Sequence, residues 1–287
     1  KALEKDNEVF LYCQYSDFID VDLINQHYPN AKIFTPIIPM DKIIRKIDSI
    51  IYYFKIDWSI RQYFVVRHIR NTINRLNIQL VHSNMFKSDY LFCSAMKNHV
   101  IPLVITMHGN YETFLNNKIN AKGEIILNYM QKVHEVFNRI NGLVYLTEKN
   151  LNILHELNPS IIPSGKDFIK RKIYNGFSHN SSKPFFNGRE KLGIPRHHTV
   201  FGLVARGIPE KGWEPAIKAC LAMKDYQNVD LILVGSSSYL DSIKRKFSQE
   251  SNIHFVGYSS NPLDWIDCFD VGLLPTVYGE SLPTSII

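Results

Sequence analysis

No apolar run in this chain of 287 residues reaches the roughly 18 that a membrane-spanning helix needs. The strongly apolar stretch 100–107 has the length of a buried strand instead. The first residues, Lys1-Ala2-Leu3-Glu4-Lys5, contain no signal-peptide core and no initiator methionine, and they start inside a helical pattern. That start reads as a cut within a longer protein. Cysteine is scarce. Cys13, Cys93, Cys220 and Cys268 stand far apart and none belongs to a CxxC pair, so no zinc site is expected. Such scattered cysteines fit the reduced core of a cytoplasmic protein. No G-x-G-x-x-G follows a predicted strand, which argues against a dinucleotide-dependent enzyme. Internal repeats and low-complexity segments are missing too.

What is present is an ordinary globular composition. With 45% hydrophobic and 12% aromatic residues, the chain can fill one large core or two ordinary ones. The net charge of +6 is unevenly placed. Residues 1–172 hold 22 Lys/Arg against 16 Asp/Glu, and the remainder holds 11 against 11. Much of the excess lies in 42–75, with eight cations (Lys42, Arg45, Lys46, Lys55, Arg61, Arg67, Arg70, Arg75) and two acids (Asp48, Asp57).

Hydrophobic periodicity divides the chain into alternating strands and helices. Strands are predicted at 9–12, 31–34, 79–83, 100–107, 142–147 and 172–174. Helices are predicted at 43–54, 65–76, 87–98 and 124–139, with a break at Asp57-Trp58-Ser59. The linker-like sequence Ser178-His179-Asn180-Ser181-Ser182-Lys183-Pro184 then separates a second series. There, strands at 199–205, 229–234, 253–256 and 271–274 alternate with helices at 214–223, 241–247 and 263–267. The expected fold is α/β: two Rossmann-like, doubly wound parallel-sheet domains facing across a cleft, at 1–176 and 189–287, joined by a linker at 177–188. Ligands of such sheets sit at the carboxyl ends of strands.

Candidate site residues follow from that placement. Arg206 lies just past the strand 199–205, and Lys211-Gly212 precedes a helix whose Pro215 suits a first turn. Two cations, free backbone N–H groups and a helix N-terminus suit a diphosphate, although a solvated basic turn has the same sequence. Glu280 follows the strand 271–274 and precedes Ser281-Leu282-Pro283-Thr284, a helix start with Ser281 as N-cap. Its carboxylate can accept hydrogen bonds from sugar hydroxyls, or merely pair with the helix dipole. His108 ends the most apolar strand and is followed by Gly109, which lets a ligand approach the backbone. A strand-capping role fits it equally. His197 and His198 read as solvated loop residues without a metal-ligating partner.

These residues carry a resemblance to glycosyltransferase family 4, the retaining enzymes of GT-B fold. The stretch 199–212 resembles that family's strand with an R-x4-K diphosphate motif, here Arg206 and Lys211. The turn at Gly235 resembles its next strand-Gly turn, and 253–258, ending at Tyr258, its strand beside the nucleobase. Residues 274–284 are similar to the first half of its E-x7-E motif. More loosely, Val81-His82-Ser83, Thr106-Met107-His108-Gly109 and Asn175-Gly176 stand where the family has comparable segments. Ala205 replaces a frequent Gly, and so does Ser237. The chain stops one residue short of the second Glu, and the family's first strand and Gly-rich loop are missing before Lys1. Both read as truncation.

The resemblance implies transfer of a hexose or N-acetylhexosamine from a nucleoside-diphosphate sugar to an acceptor hydroxyl, with retained configuration and no metal or other cofactor. The first domain would then serve the acceptor and the second the donor. Arg206, Lys211, Leu282, Pro283 and Thr284 would bind the diphosphate. Glu280, Ser281, Gly235 and Tyr258 would bind the sugar and nucleotide, with Glu280 and His108 at the reacting centre. The basic, aromatic-rich 42–75 region suits a helix pair resting on an anionic membrane surface, though its apolar face could equally pack on the sheet. With the family, it favours a lipid-linked or cell-envelope glycan acceptor and a cytoplasmic, peripheral-membrane setting. No nucleic-acid motif accompanies the cations. A nucleotide-sugar epimerase on the same fold and a non-catalytic nucleotide- or glycan-binding relic remain as rival readings.

Overall fold

The computed structural model describes residues 6–15, 19–109, 128–165, 167–176, 186–223, 228–277 and 283. The chain divides into two compact units, Lys1–Tyr174 and Asn175–Ile287. The segment 177–185 of the predicted linker lies outside the described residues.

The first unit runs β1 (Phe10–Tyr12), α1 (Val21–His27), β2 (Lys32–Phe34), α2 (Asp41–Tyr53), α3 (Ile60–Leu76), β3 (Val81–Asn84), α4 (Phe86–Ala95), β4 (Leu103–Met107), α5 (Tyr129–Arg139), β5 (Gly142–Tyr145), α6 (Glu148–Leu157) and β6 (Ile169–Lys172). Strands β1 and β2 form a parallel pair, and β3-β4-β5-β6 form a parallel sheet in chain order. β4 is buried along nearly its whole length because helices cover both faces of a parallel sheet. Val65, Ile69 and Ile73 of α3, Phe86 and Leu91 of α4, and Val133, Val136 and Phe137 of α5 close over the sheet with Leu103, Ile105 and Met107.

The break predicted at 57–59 is present, and its cause is specific. The Asp48 carboxylate of α2 accepts from Ser59 Oγ at 2.8 Å and from the first amides of α3, Ile60 at 2.7 Å and Arg61 at 3.0 Å. Ser59 Oγ accepts in turn from the Gln62 amide. One acid therefore satisfies donors that a helix start leaves without partners. Helix α6, which the periodicity did not indicate, is opened by a capping box in which the Asn150 side chain accepts from the Thr147 amide. The last strand of this sheet was expected at 172–174 and is Ile169–Lys172. Its residues are all exposed, so an edge strand paired on one side carries no hydrophobic pattern to read.

The second unit runs α7 (Gly188–Lys191), β7 (Thr199–Val204), α8 (Trp213–Ala222), β8 (Val229–Val234), α9 (Ser238–Lys246), β9 (Ile253–Gly257), α10 (Pro262–Ile266) and β10 (Val271–Gly272). Its four strands are parallel in the order β10-β7-β8-β9. The chain winds from β7 out to β9 and then returns to pair β10 with β7. The strand order thus reverses between β7 and β10, and connections at such a point leave a crevice at the carboxyl ends. Leu203, Trp213, Ile217, Leu231 and Leu233 form the core on one face of this sheet, and Val200, Ile232, Val234 and Cys268 on the other.

Three of the cysteines, Cys93, Cys220 and Cys268, are buried and all four are free thiols. Burial pushes the Cys220 thiol up to about 11 and, aided by the nearby Asp89 carboxylate, the Cys93 thiol up to about 12. Both are therefore inert core groups. Among the described residues no helix is long and apolar enough to cross a membrane.

Candidate donor and acceptor sites

The loop after β7 is the most constrained part of the second unit. Trp213, fully buried at the start of α8, donates its indole Nε1–H to the Arg206 carbonyl at 3.0 Å. The Ile208 amide donates to the same oxygen at 2.8 Å. The backbone of Arg206 is thereby fixed, while its side chain is exposed at the carboxyl edge of the sheet. A single turn of 3-10 helix, Pro209–Lys211, brings Lys211 to a half-buried position immediately before α8. Gly212 caps that helix at φ 74°, in the left-handed region. The first amides of α8 have no intrahelical acceptor and carry the positive end of the helix dipole.

Two further loops meet this one. A Cβ on Gly212 would lie 2.0 Å from the Pro275 carbonyl oxygen, so the connection after β10 passes directly against the connection after β7. The Val277 amide donates to the Glu210 carbonyl at 2.9 Å and locks the two together. From the other side, Ser237 Oγ donates to the Gly207 carbonyl at 2.6 Å and caps α9 by accepting from the Leu240 amide. A Cβ on Gly235 would lie 2.4 Å from the Ala205 carbonyl oxygen and 2.8 Å from the Trp213 ring. Gly235 is therefore needed for close approach of backbones. Ser237, standing where a second Gly was anticipated, is used as a cap. At the end of β9 the Gly257 carbonyl accepts from the Gly235 amide, and the adjacent Tyr258 side chain is exposed.

Arg206, Lys211, Gly235 and Tyr258 thus lie on the carboxyl edge of one sheet, on connections that touch one another. Glu280, Ser281, Leu282 and Thr284 lie outside the described residues. Of that predicted helix start only Pro283 is described, and it is half-buried.

In the first unit His108 is exposed just beyond β4, with Nε2 3.0 Å from Oδ1 of Asn84, the last residue of β3. That contact places the proton of a neutral imidazole on Nε2 and leaves Nδ1 as an acceptor. Two residues back along each strand, His82 Nε2 lies 2.7 Å from Thr106 Oγ1. Burial, with the His108 charge added, holds His82 below the usual imidazole range. His108 is therefore one of a small polar group at the carboxyl ends of β3 and β4. Asn84 was not anticipated, because a lone Asn at a strand end gives no signal in sequence.

His198 corrects the sequence expectation. It is not a solvated loop residue: its Nδ1 lies 2.6 Å from Oδ2 of the buried Asp230, whose Oδ1 lies 2.6 Å from His254 Nε2. His197 is exposed and stacks edge-on against it. Asp230 and His254 are second residues of their strands, so the cluster sits at the amino edge of the sheet, away from the Arg206 loop. It borders a cleft of about 390 Å³ lined also by Leu192, Cys220 and Asn252. Among the described residues no group of three acidic, histidine or cysteine side chains is arranged to hold a metal ion.

Two units, each with a parallel sheet flanked by helices and polar side chains at its carboxyl edge, have the α/β GT-B fold. Sucrose-phosphate synthase from Thermosynechococcus elongatus is similar to 99% of this chain over 69% of its own length, at 15% identity and a TM-score of 0.71. Anabaena HepE, solved in complex with UDP and glucose, is similar to 95% over 75% of its length, at 17% identity and a TM-score of 0.65. WaaG, a glycosyltransferase involved in lipopolysaccharide biosynthesis, is similar to 96% over 68% of its length, at 13% identity and a TM-score of 0.62. No curated sequence matches the chain.

The family model of glycosyltransferase family 4 matches residues 19–168, more than half of the chain, and the chain belongs to that family. The match falls in the first unit, where the motifs in the sequence are the looser ones.

Proposed function

We propose that this chain is a retaining, metal-independent glycosyltransferase. It moves a hexose or N-acetylhexosamine from a nucleoside diphosphate to a hydroxyl of a lipid-linked or cell-envelope glycan, of capsule, lipopolysaccharide or exopolysaccharide type. The observation that carries this reading is the meeting of the Arg206–Gly212 loop with the Pro275–Val277 connection at the strand-order reversal. There the chain offers two cations and a helix N-terminus to one anion.

In the proposed reaction the bond from the anomeric carbon to the diphosphate oxygen breaks, and the acceptor oxygen bonds to that carbon on the same face. The departing phosphate oxygen takes the acceptor proton. Arg206, Lys211 and the α8 amides neutralise the charge that develops on the diphosphate. Arg206 offers a planar fork and Lys211 a compact charge. Leu282, Pro283 and Thr284 complete the diphosphate site, Glu280 and Ser281 hold the sugar, and Gly235 and Tyr258 border the nucleotide. His108, with its tautomer set by Asn84, is the reacting-centre residue of the acceptor unit. The acceptor class and a peripheral position on the cytoplasmic face of a membrane draw on the cationic excess of the first unit.

The test is calorimetric titration of UDP- and GDP-sugars into the protein, with the Arg206→Ala/Lys211→Ala double variant as control. Selective binding lost in the folded double variant supports the donor site. Absence of binding to every donor by folded protein removes the transferase reading, and conversion of a donor sugar without any acceptor replaces it with an epimerase.

A further inference from the structure

Helices α2 and α3 were expected to act as a pair, yet their apolar faces have opposite fates. Helix α3 buries Val65, Ile69 and Ile73 in the core. Helix α2 buries Ile44 alone. Met40, Ile43, Ile47, Ile50 and Phe54 are between 40% and 71% exposed. At about 100° per residue Ile43, Ile47 and Ile50 fall within a sector of about 60°, an apolar stripe along one side of the helix, with Met40 and Phe54 as the capping residues at its two ends. Ile44 and Ile51 fall next to it on the flank that packs on the unit. Lys42, Lys46 and the exposed ring of Tyr53 form the other flank.

Charge is sorted along the same lines. Asp41 is held by Arg45 and Arg61, Asp48 caps α3, and Asp57 pairs with Lys132. Every acid of 40–60 is thus committed to the protein. Lys42, Lys46 and Lys55 are exposed, and among the described residues no carboxylate pairs with any of them. The connection that follows α2 adds exposed Ile56 and Trp58. An apolar stripe with aromatics at its end, bordered by cations only, matches an anionic lipid interface on both counts: apolar area for the acyl boundary and positive charge for the headgroups. A second copy of the chain would present the same cations and repel them.

We infer that α2 is an interfacial helix that lies in the plane of an anionic bilayer, with Met40, Ile43, Ile47, Ile50 and Phe54 below the headgroups and Lys42, Lys46 and Lys55 among them. This rests on the peripheral-membrane part of the proposed function and is independent of its transferase chemistry. It replaces the helix pair of 42–75 by α2 alone.

The test is co-sedimentation of the chain with vesicles of phosphatidylcholine, and of phosphatidylcholine mixed with phosphatidylglycerol. The comparison variants are Ile47→Asp/Ile50→Asp and Lys42→Glu/Lys46→Glu. Anionic lipid is expected to strengthen binding on the order of 100-fold, since each of three cations contributes roughly a factor of five. Both double variants should lose most of that binding and keep the wild-type melting temperature, because the altered side chains are exposed. Equal binding to both vesicle types, or undiminished binding by either variant, overturns the inference. So does a dimer in solution that Ile47→Asp/Ile50→Asp dissociates, since a second copy would then cover the stripe. Nucleotide-sugar titration of the same samples reads the donor site separately, so a failed transferase assignment leaves a distinct signature.

Discussion

Arg206 and Gly212 show how differently two neighbouring residues serve one loop. The Arg206 side chain is exposed and only its carbonyl is built into the fold. Arg206→Ala should leave stability within about 0.5 kcal/mol of wild type and weaken nucleoside-diphosphate binding by about 10- to 100-fold, the worth of a charge-assisted hydrogen bond. Paired thermal melts and calorimetry separate the two effects. Gly212→Ala does the reverse. It places a methyl group against the Pro275 carbonyl at a positive φ, so it should destabilise the second unit by roughly 1–3 kcal/mol and loosen the contact between the two loops. Trp213→Phe keeps most of the buried ring and removes the Nε1–H donor to Arg206. A loss of about 1–2 kcal/mol, accompanied by weaker diphosphate binding, would show that the indole holds the loop and does more than fill the core.

At the scale of elements, two acids at the amino edge of the second sheet make separate predictions. Asp270 precedes β10 and accepts from the Val200 amide of β7 at 2.7 Å while pairing with Arg189. The Val200 amide first, and then the Arg189 guanidinium, hold its carboxyl below the usual carboxylate range. A lowered folded-state value means that the ionised form supports the fold. Its contribution is complete above the unfolded value of about 3.9 and is lost as pH falls through the folded one. Asp270→Asn should therefore flatten the acid limb of stability below about pH 4, as read by denaturant unfolding across pH. At the same edge, Asp230→Leu strands the facing nitrogens of His198 and His254 and should cost about 1–3 kcal/mol. Nucleotide binding should be unchanged, because that cluster lies at the opposite strand ends from Arg206. A coupled loss of both would mean that the amino-edge cluster and the loop are linked.

At the scale of the whole molecule, two units with separate cores need not melt together. A nucleotide sugar that binds the second unit stabilises that unit alone, by about 2.7 kcal/mol at a hundredfold excess over its dissociation constant. The chain has three tryptophans: Trp58 in the first unit, and Trp213 and Trp265 in the second. In a Trp58→Phe variant, fluorescence reports the second unit only. Its midpoint should rise with ligand, while a calorimetric transition belonging to the first unit stays in place. A shift of both transitions by the same amount would show that the units unfold as one.

The sequence by itself determined the parallel α/β fold and the strand ends at which the proposed site residues stand. Period and punctuation are local properties: 199–205 and 229–234 read as buried strands because β-branched and aliphatic residues predominate there, and Arg206 and Lys211 stand out because a strand end precedes them and a helix follows. Only the tertiary structure decided which of these features meet. That Gly212 abuts Pro275, that Asn84 orients His108, and that Asp230 gathers two histidines all join residues more than 20 positions apart. No periodicity records such distances. Both α2 and α3 read as amphipathic in the sequence, and only the packing shows that α3 buries Val65, Ile69 and Ile73 while α2 buries Ile44 alone, because burial depends on what the rest of the chain brings against a helix face.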